Sequence, residues 1–319
     1  RTNMAWLKLI RWQNLIIVFL TQLFAWGCVI VPMNHYSPEP IVLNWINFLW
    51  LSLSTVLIAA AGYIINDYFD VKIDMINRPE KLILEKRIPM KLAIVVHTVF
   101  NIAAIFLAIL VARRAGHYSF LAMQLGCTVL LWFYSTTFKR QFVSGNVVVS
   151  ILTAFTIVVL MLYENAIRYY LHMDFFIETG YALIPNPVWV LGTYAYFAFM
   201  LTWMREIVKD MEDFKGDAEQ GCVTMPIKWG LLRSARFAQL LGMLTVVPLV
   251  IGAVKLLKEQ WYVLGIYTIA GLALPILIWM YYLPKKATTK HYGTESRYLK
   301  IIMVLGVVSL VIYYFQTNG

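Results

Sequence analysis

The sequence predicts an all-α integral membrane fold of about nine transmembrane helices, and three observations carry that prediction. Hydrophobic residues make up 61% of the chain and charged residues only 14%, a balance far from that of soluble domains. Nine apolar stretches are long enough, at about 20 residues and 1.5 Å rise per residue, to cross a roughly 30 Å hydrocarbon layer. Lysine and arginine, finally, crowd into every second connection between those stretches.

The first stretch, 15–33, follows Arg1, Lys8 and Arg11. It is too long for a signal-peptide core and no small-residue cleavage site follows it, so it is expected to remain as a helix. The next are 46–65, 91–112, 118–135 and 145–163; after a long connection at 164–186 come 187–204, 236–256, 261–283 and 298–315. With a cytoplasmic N-terminus, the inside segments are 1–14, 66–91, 136–144, 205–236 and 284–300. These hold three, six, two, six and five Lys or Arg, together 22 of the 27. The expected location is therefore the inner cell membrane, with all of 1–319 forming one transmembrane domain. The net charge of +10 serves topology and the attraction of anionic lipid and substrate. Basic residues spread over five short loops do not suit nucleic acid. Cys28, Cys127 and Cys222 lie in separate segments with no CxxC spacing, which argues against a metal cluster or disulfide framework.

The acidic residues are more informative, because 11 of the 17 fall in two loops. NDYFDVKID, residues 66–74, and KDMEDFKGD, residues 209–217, both contain DxxDxxxD. Asp67, Asp70 and Asp74 map onto Asp210, Asp213 and Asp217 with a constant offset of 143, and each motif closes an even-numbered stretch. This spacing suggests an internal repeat of four-helix units. On a helix, residues four apart share a face, so Asn66, Asp70 and Asp74 form one acidic stripe and Asp213 with Asp217 another. Unpaired carboxylates at the end of a membrane helix are costly and call for a cation between them. Oxygen ligands with no His or Cys nearby suit a hard ion such as Mg²⁺, which keeps waters and bridges to substrate phosphates. The alternative is a pair of solvated helix ends balanced by nearby Lys and Arg, but that does not explain two matching motifs.

Cations flank both motifs: Arg78 and Lys81 follow the first, Arg205 and Lys209 accompany the second, and Lys139 with Arg140 follow the fourth stretch. Each is a candidate phosphate ligand, although topology alone also accounts for basic residues there. Tyr134 lies just before Lys139 on the same connection. His35, His97, His117, His172 and His291 are isolated, and none is identified as an acceptor base.

These residues resemble the UbiA-type superfamily of intramembrane prenyltransferases over most of the chain, from about Arg11 to the ninth stretch. Asn66, Asp70 and Asp74 match its NxxxDxxxD signature, and REIVKDMEDFKGD, 205–217, its second acidic motif. Gly221, Thr224 and Pro226 follow as a GxxTxP-like stretch, YSTTFKR is similar to the family's Tyr-to-Lys motif, and Arg11 sits where the family often has a basic residue. One departure is Lys81 to Lys86, where many members carry RPxxSG. The resemblance implies a bundle around a large cavity, with the acidic motifs at its cytoplasmic mouth and a lateral opening to lipid. It further implies Mg²⁺-dependent transfer of a prenyl group from a polyprenyl diphosphate to a lipophilic or amphipathic acceptor, releasing pyrophosphate.

On that basis the expected metal ligands are Asn66, Asp67, Asp70, Asp74, Asp210, Asp213 and Asp217. Asp70, Asp74, Asp213, Asp217 and Lys139 are the expected catalytic residues, and Arg11, Arg78, Lys81, Tyr134, Lys139, Arg140, Arg205 and Lys209 the expected substrate ligands. REIVKDMEDFKGD with GNVVVS, 145–150, is most similar to the branch forming geranylgeranylglyceryl phosphate derivatives, while quinone-forming members share much of the pattern. Among rivals, a CDP-alcohol phosphotransferase needs an Asp-Gly pair, which the chain lacks. A transporter would hold its carboxylates near the bilayer midplane rather than at helix ends. An inactive scaffold is opposed by the intact motifs.

Overall fold

The structure, a computed structural model, describes residues 2–77, 79, 82–178 and 183–318. Among these residues are nine long helices: α1 Trp12–Asn34, α2 Trp45–Asn77, α3 Met90–Ala115, α4 Leu121–Thr136, α5 Ser144–Tyr163, α6 Pro187–Glu212, α7 Leu231–Lys258, α8 Tyr262–Lys285 and α9 Thr289–Asn318. All except α6 are long and apolar enough to span by composition alone, α4 when the preceding 3₁₀ turn Tyr118–Phe120 is counted with it. The apolar part of α6 is diluted by Trp, Tyr and Thr, and its last two turns carry Arg205, Glu206, Lys209 and Asp210.

Several helices outrun the apolar stretches that announce them. Thirty-three residues make α2 about 50 Å long, more than the hydrocarbon layer needs. Its last turns therefore leave the membrane while still helical and carry Asn66 to Asp74 with them. In the same way α6 continues eight residues beyond 204, and α9 begins nine residues before 298. Hydropathy marks the lipid-embedded part of a helix, whereas backbone hydrogen bonding continues into water.

The packing is that of a membrane bundle. On α3, Val95, Val99, Ile102, Phe106 and Ile109 recur every three or four residues and are exposed, forming a lipid-facing stripe. Its opposite face buries Ala93, Ala104, Ala108 and Ala112, small residues that let α2 approach closely. Ser54 of α2 donates to the Ala104 carbonyl at 2.8 Å. His97 bridges the same interface: its Nδ1 donates to the Ala61 carbonyl at 2.9 Å, and Asn101 lies 3.2 Å from its Nε2. The chain is thus an integral, multi-pass membrane protein.

The connection between α5 and α6 is structured rather than a plain loop. It holds a short helix, Asn165–Tyr170, and an antiparallel hairpin pairing Phe176–Glu178 with Leu183–Pro185. Asn186 organises it: its amide donates to the carbonyls of Tyr170, Met173 and Asp174, while its Oδ1 caps α6 by accepting from Val188 N at 2.9 Å. Beside it, the buried Glu164 carboxylate accepts from the backbone N–H groups of Val42 and Leu43 at 3.1 and 2.9 Å. This assembly lies at the N-terminal end of α6, and the second acidic motif lies at the other end. In a Cys-less background, Lys215→Cys is therefore expected to label from one side of the membrane and Phe175→Cys only from the other. Labelling of both from one side would overturn this topology.

Candidate active site

The α2 stripe is built from its own helix and completed by others. Asn66 Nδ2 donates to Asp70 Oδ2 at 2.9 Å, and both side chains are buried. Lys139, from the 3₁₀ turn Phe138–Arg140 after α4, donates through Nζ to the same Asp70 oxygen and to Asn66 Oδ1 at 3.3 Å. Burial opposes the ammonium charge, but the Asp70 carboxylate and the Tyr134 oxygen together outweigh it and hold Lys139 above its ordinary range. Lys139 is held there by a close approach. A Cβ on Gly145, in the first turn of α5, would stand 2.7 Å from the Phe138 carbonyl oxygen and 2.8 Å from Lys139 Cα. No other side chain fits between that helix start and the turn.

Arg11 comes from the break between a short helix, Thr2–Leu9, and α1. Its backbone is left-handed, with φ 52°, an uncommon state for a non-glycine residue. In that conformation its guanidinium reaches Asp67 Oδ1 at 2.8 Å and lies over the Tyr63 ring.

The second motif departs from the single helical stripe expected. Helix α6 ends at Glu212, Asp213 caps it, and Phe214–Glu219 forms a separate short helix. Asp217 N still donates to the Asp213 carbonyl at 3.1 Å, so the four-residue spacing survives the break. The break lets Phe214–Glu219 pack against α2, bringing the two motifs together. Asp74 is pushed up to about 6 by burial and then by the Asp70 and Asp67 carboxylates. Asp217 is pushed up to about 7 by burial and then by Asp213, with Asp70 adding to it. Asp210 accepts from Asn146 Nδ2 of α5 at 3.0 Å. Among the described residues no three Asp, Glu, His or Cys side chains converge tightly enough to enclose an ion by themselves. Mg²⁺ needs no such cage, since it takes one or two carboxylates and completes its shell with water and phosphate. Buried oxygen donors crowded enough to resist ionisation, with no soft ligand among them, fit that ion.

Beneath these motifs lies a cavity of about 250 Å³, with α1, α2, α4, α5, α6 and α9 contributing to its wall. Its polar lining includes Arg11, Asn14, Asn66, Tyr134, Arg205 and Lys209; Ile17, Ile58, Leu131, Leu152 and Met303 are among its apolar residues. At Thr55 and Thr156 the lining meets buried Gln22, whose amide donates to Thr55 Oγ1 and the Thr156 carbonyl and whose Oε1 accepts from Ser52. Arg205 and Lys209 both donate to Glu206, at 2.9 and 3.1 Å.

Of the residues expected from sequence, Arg11, Asn66, Tyr134, Arg205 and Lys209 line this cavity. Asp67, Asp70 and Lys139 bond to its lining residues. Arg140 is exposed outside the lining, and its backbone carbonyl accepts from Val223 N at 2.8 Å, tying this turn to the GxxTxP-like stretch. Arg78 and Lys81 lie outside the described residues. Asn14, Asn146, Glu206 and Lys300 emerge only in three dimensions. Lys300 had a signal, being a lysine inside the ninth apolar stretch.

The profile of the UbiA prenyltransferase family matches residues 36–293, a stretch containing both acidic motifs and the Lys139 turn. The chain belongs to this family. Curated UbiA relatives include the digeranylgeranylglyceryl phosphate synthases of Methanothermobacter thermautotrophicus and Hyperthermus butylicus. The first is 32% identical over 234 residues, covering 73% of this chain and 70% of that one. The second is 29% identical over 273 residues, covering 85% and 80%. A solved structure from work on digeranylgeranylglyceryl phosphate synthase in membranes shares the fold, with a TM-score of 0.67 and 22% identity over 99% of both chains. A UbiA homolog from Archaeoglobus fulgidus bound to GPP and Mg²⁺ does so at 0.56 and 15%, over 96% of this chain and 99% of that one. The protein is a membrane prenyltransferase.

The Gly145 contact yields a test. Gly145→Ala is expected to displace the Lys139 turn, lowering stability by about 1–3 kcal/mol and prenyl transfer by about tenfold or more. Thermal unfolding and turnover in detergent read the two effects, and unchanged turnover would show that Lys139 does not depend on this approach.

Proposed function

We propose that residues 1–319 act as one domain that transfers a geranylgeranyl-type group from its diphosphate to geranylgeranylglyceryl phosphate, with Mg²⁺, at the cytoplasmic face of the inner membrane. The observation that carries this reading is a largely apolar cavity lined by Asn66 and Glu206, one from each acidic motif, and by four cations, Arg11, Arg205, Lys209 and Lys300. Two phosphate-bearing substrates need that much positive charge, whereas an aromatic acceptor with one carboxylate or none needs less. The names of the curated relatives support the same acceptor.

In this reading Asn66, Asp67, Asp70, Asp74, Asp210, Asp213 and Asp217 hold Mg²⁺ between the motifs. Bound there, the ion offsets charge on the diphosphate and on the departing pyrophosphate. Lys139 and Lys209 present fixed ammonium groups to the same charge, with Arg78 and Lys81 the candidates on the connection after α2. Tyr134 and the apolar lining face the prenyl chain. They keep water from an allylic carbon that gains positive character as its bond to oxygen lengthens.

Asp70→Asn and Asp213→Asn are each expected to lower turnover by about a hundredfold or more with folding intact, since each removes charge from a different motif. EDTA should stop the reaction and Mg²⁺ restore it. Near-normal turnover in either variant at saturating Mg²⁺, or rescue by Zn²⁺ alone, would sink the two-motif clamp. Mass spectrometry of products from geranylgeranyl diphosphate and a panel of acceptors tests the acceptor. Robust product from 1,4-dihydroxy-2-naphthoate, with none from geranylgeranylglyceryl phosphate, would replace this reading with a quinone-precursor prenyltransferase.

A further inference from the structure

The four cations lining the cavity mouth are not equivalent. Arg11 is bound to Asp67 and stacked on Tyr63, while Arg205 and Lys209 divide the two oxygens of Glu206. Lys300 has no carboxylate within salt-bridge distance among the described residues. Its Nζ donates instead to a neutral acceptor, Asn14 Oδ1, at 2.6 Å. This bond joins the ninth helix to the first, across 286 residues of sequence.

The position of Lys300 is as unusual as its partner. It lies eleven residues into α9, about 16 Å along the helix axis, in a segment apolar enough to span the membrane. A lysine near a helix end ordinarily reaches outward to water, and one that faces a bundle interior is expensive unless a partner or ligand requires it. Lys300 faces inward and lines the cavity with Asn14 and Arg205. Asn14 Oδ1 is taken by the ammonium, which leaves the Asn14 amide hydrogens and the remaining Lys300 hydrogens for an anion. Arg205 supplies a planar fork beside them. These three residues come from α1, α6 and α9. The carboxylate motifs and Lys139 are carried by α2, by the end of α6 and its following short helix, and by the turn after α4.

We propose that Lys300, Asn14 and Arg205 form a second anion site, distinct from the diphosphate and metal site, that holds the phosphate monoester of a glyceryl lipid acceptor. The assignment rests on the phosphorylated-acceptor reading above. It places one anionic substrate on the carboxylate and Lys139 side of the mouth and the other on the α1–α9 side, with both apolar chains entering the cavity between them. Lys300 binds and orients the acceptor and takes no part in bond breaking.

The test is a kinetic split with purified protein, using geranylgeranyl diphosphate with either geranylgeranylglyceryl phosphate or its dephosphorylated alcohol. Lys300→Gln is expected to raise the KM for the phosphorylated acceptor by about ten- to a hundredfold, the worth of a lost charge-assisted hydrogen bond. The KM for the diphosphate should stay within about twofold, and the preference for phosphorylated over dephosphorylated acceptor should shrink by the acceptor factor. Lys300→Arg should recover part of the loss, and Asn14→Ala should shift the same constant in the same direction. The retained diphosphate KM reports a folded enzyme. A parallel rise in both KM values, or an undiminished phosphate preference in Lys300→Gln and Asn14→Ala, overturns the second site while leaving the acceptor reading intact. A wild-type enzyme that makes no ether product overturns the acceptor reading and the second site together.

Discussion

The active end of this protein is governed by the cost of holding carboxylates at a low-dielectric boundary. A carboxylate buried at the end of a membrane helix is tolerated only with a partner; Glu206 finds two on its own helix, Arg205 and Lys209, and other carboxylates find theirs elsewhere in the bundle. Asp70 on α2 is met by Lys139 from beyond α4, Asp67 by Arg11 from before α1, and Asp210 on α6 by Asn146 from α5. Each of these contacts crosses between segments that the chain connects only through a membrane crossing or more. The same electrostatics that suits the site to a divalent ion and a diphosphate therefore also ties the helix ends into one mouth.

Rigidity follows from how those partners are held. Lys139 sits on a turn pressed against the Gly145 backbone, Arg11 is presented by a left-handed residue at a helix break, and Phe214–Glu219 packs on α2. Each device fixes a charged group through backbone geometry rather than through a long side chain alone. At the opposite end, Glu164 and Asn186 satisfy backbone groups that lipid could not. Polar groups thus organise both ends of the bundle, and small residues and apolar stripes organise its middle.

Much of this was legible in the sequence because its signals are local. Runs of twenty apolar residues, basic residues in alternate loops and an acidic motif repeated at a fixed offset need no tertiary knowledge. Helix ends were less legible: α2 runs on to Asn77 and α9 starts at Thr289, because hydropathy falls where lipid ends, not where hydrogen bonding does. The break at Asp213 was hidden because the i to i+4 spacing reads identically with or without it. Lys300 closes the last inside segment, 284–300, and so counts as one more topology charge, although it also falls within the ninth apolar stretch. Only the bundle shows it turned inward beside Asn14.

The family match adds a division of labour to this picture. Asn66, Asp70, Asp74, Lys139, Asp210, Asp213 and Asp217 all lie within residues 36–293, the stretch that matches the family profile, whereas Arg11, Asn14 and Lys300 lie outside it. In the proposed reaction, release of the diphosphate falls to residues of that matched stretch. The proposed acceptor site draws on both ends of the chain, through Asn14 and Lys300, and on Arg205 from within the matched stretch. The bond between Lys300 and Asn14 brings those ends together at the cavity mouth. Under the two-site proposal the acceptor phosphate is held by residues of the first, sixth and ninth helices, and the diphosphate by the carboxylate motifs and the Lys139 turn.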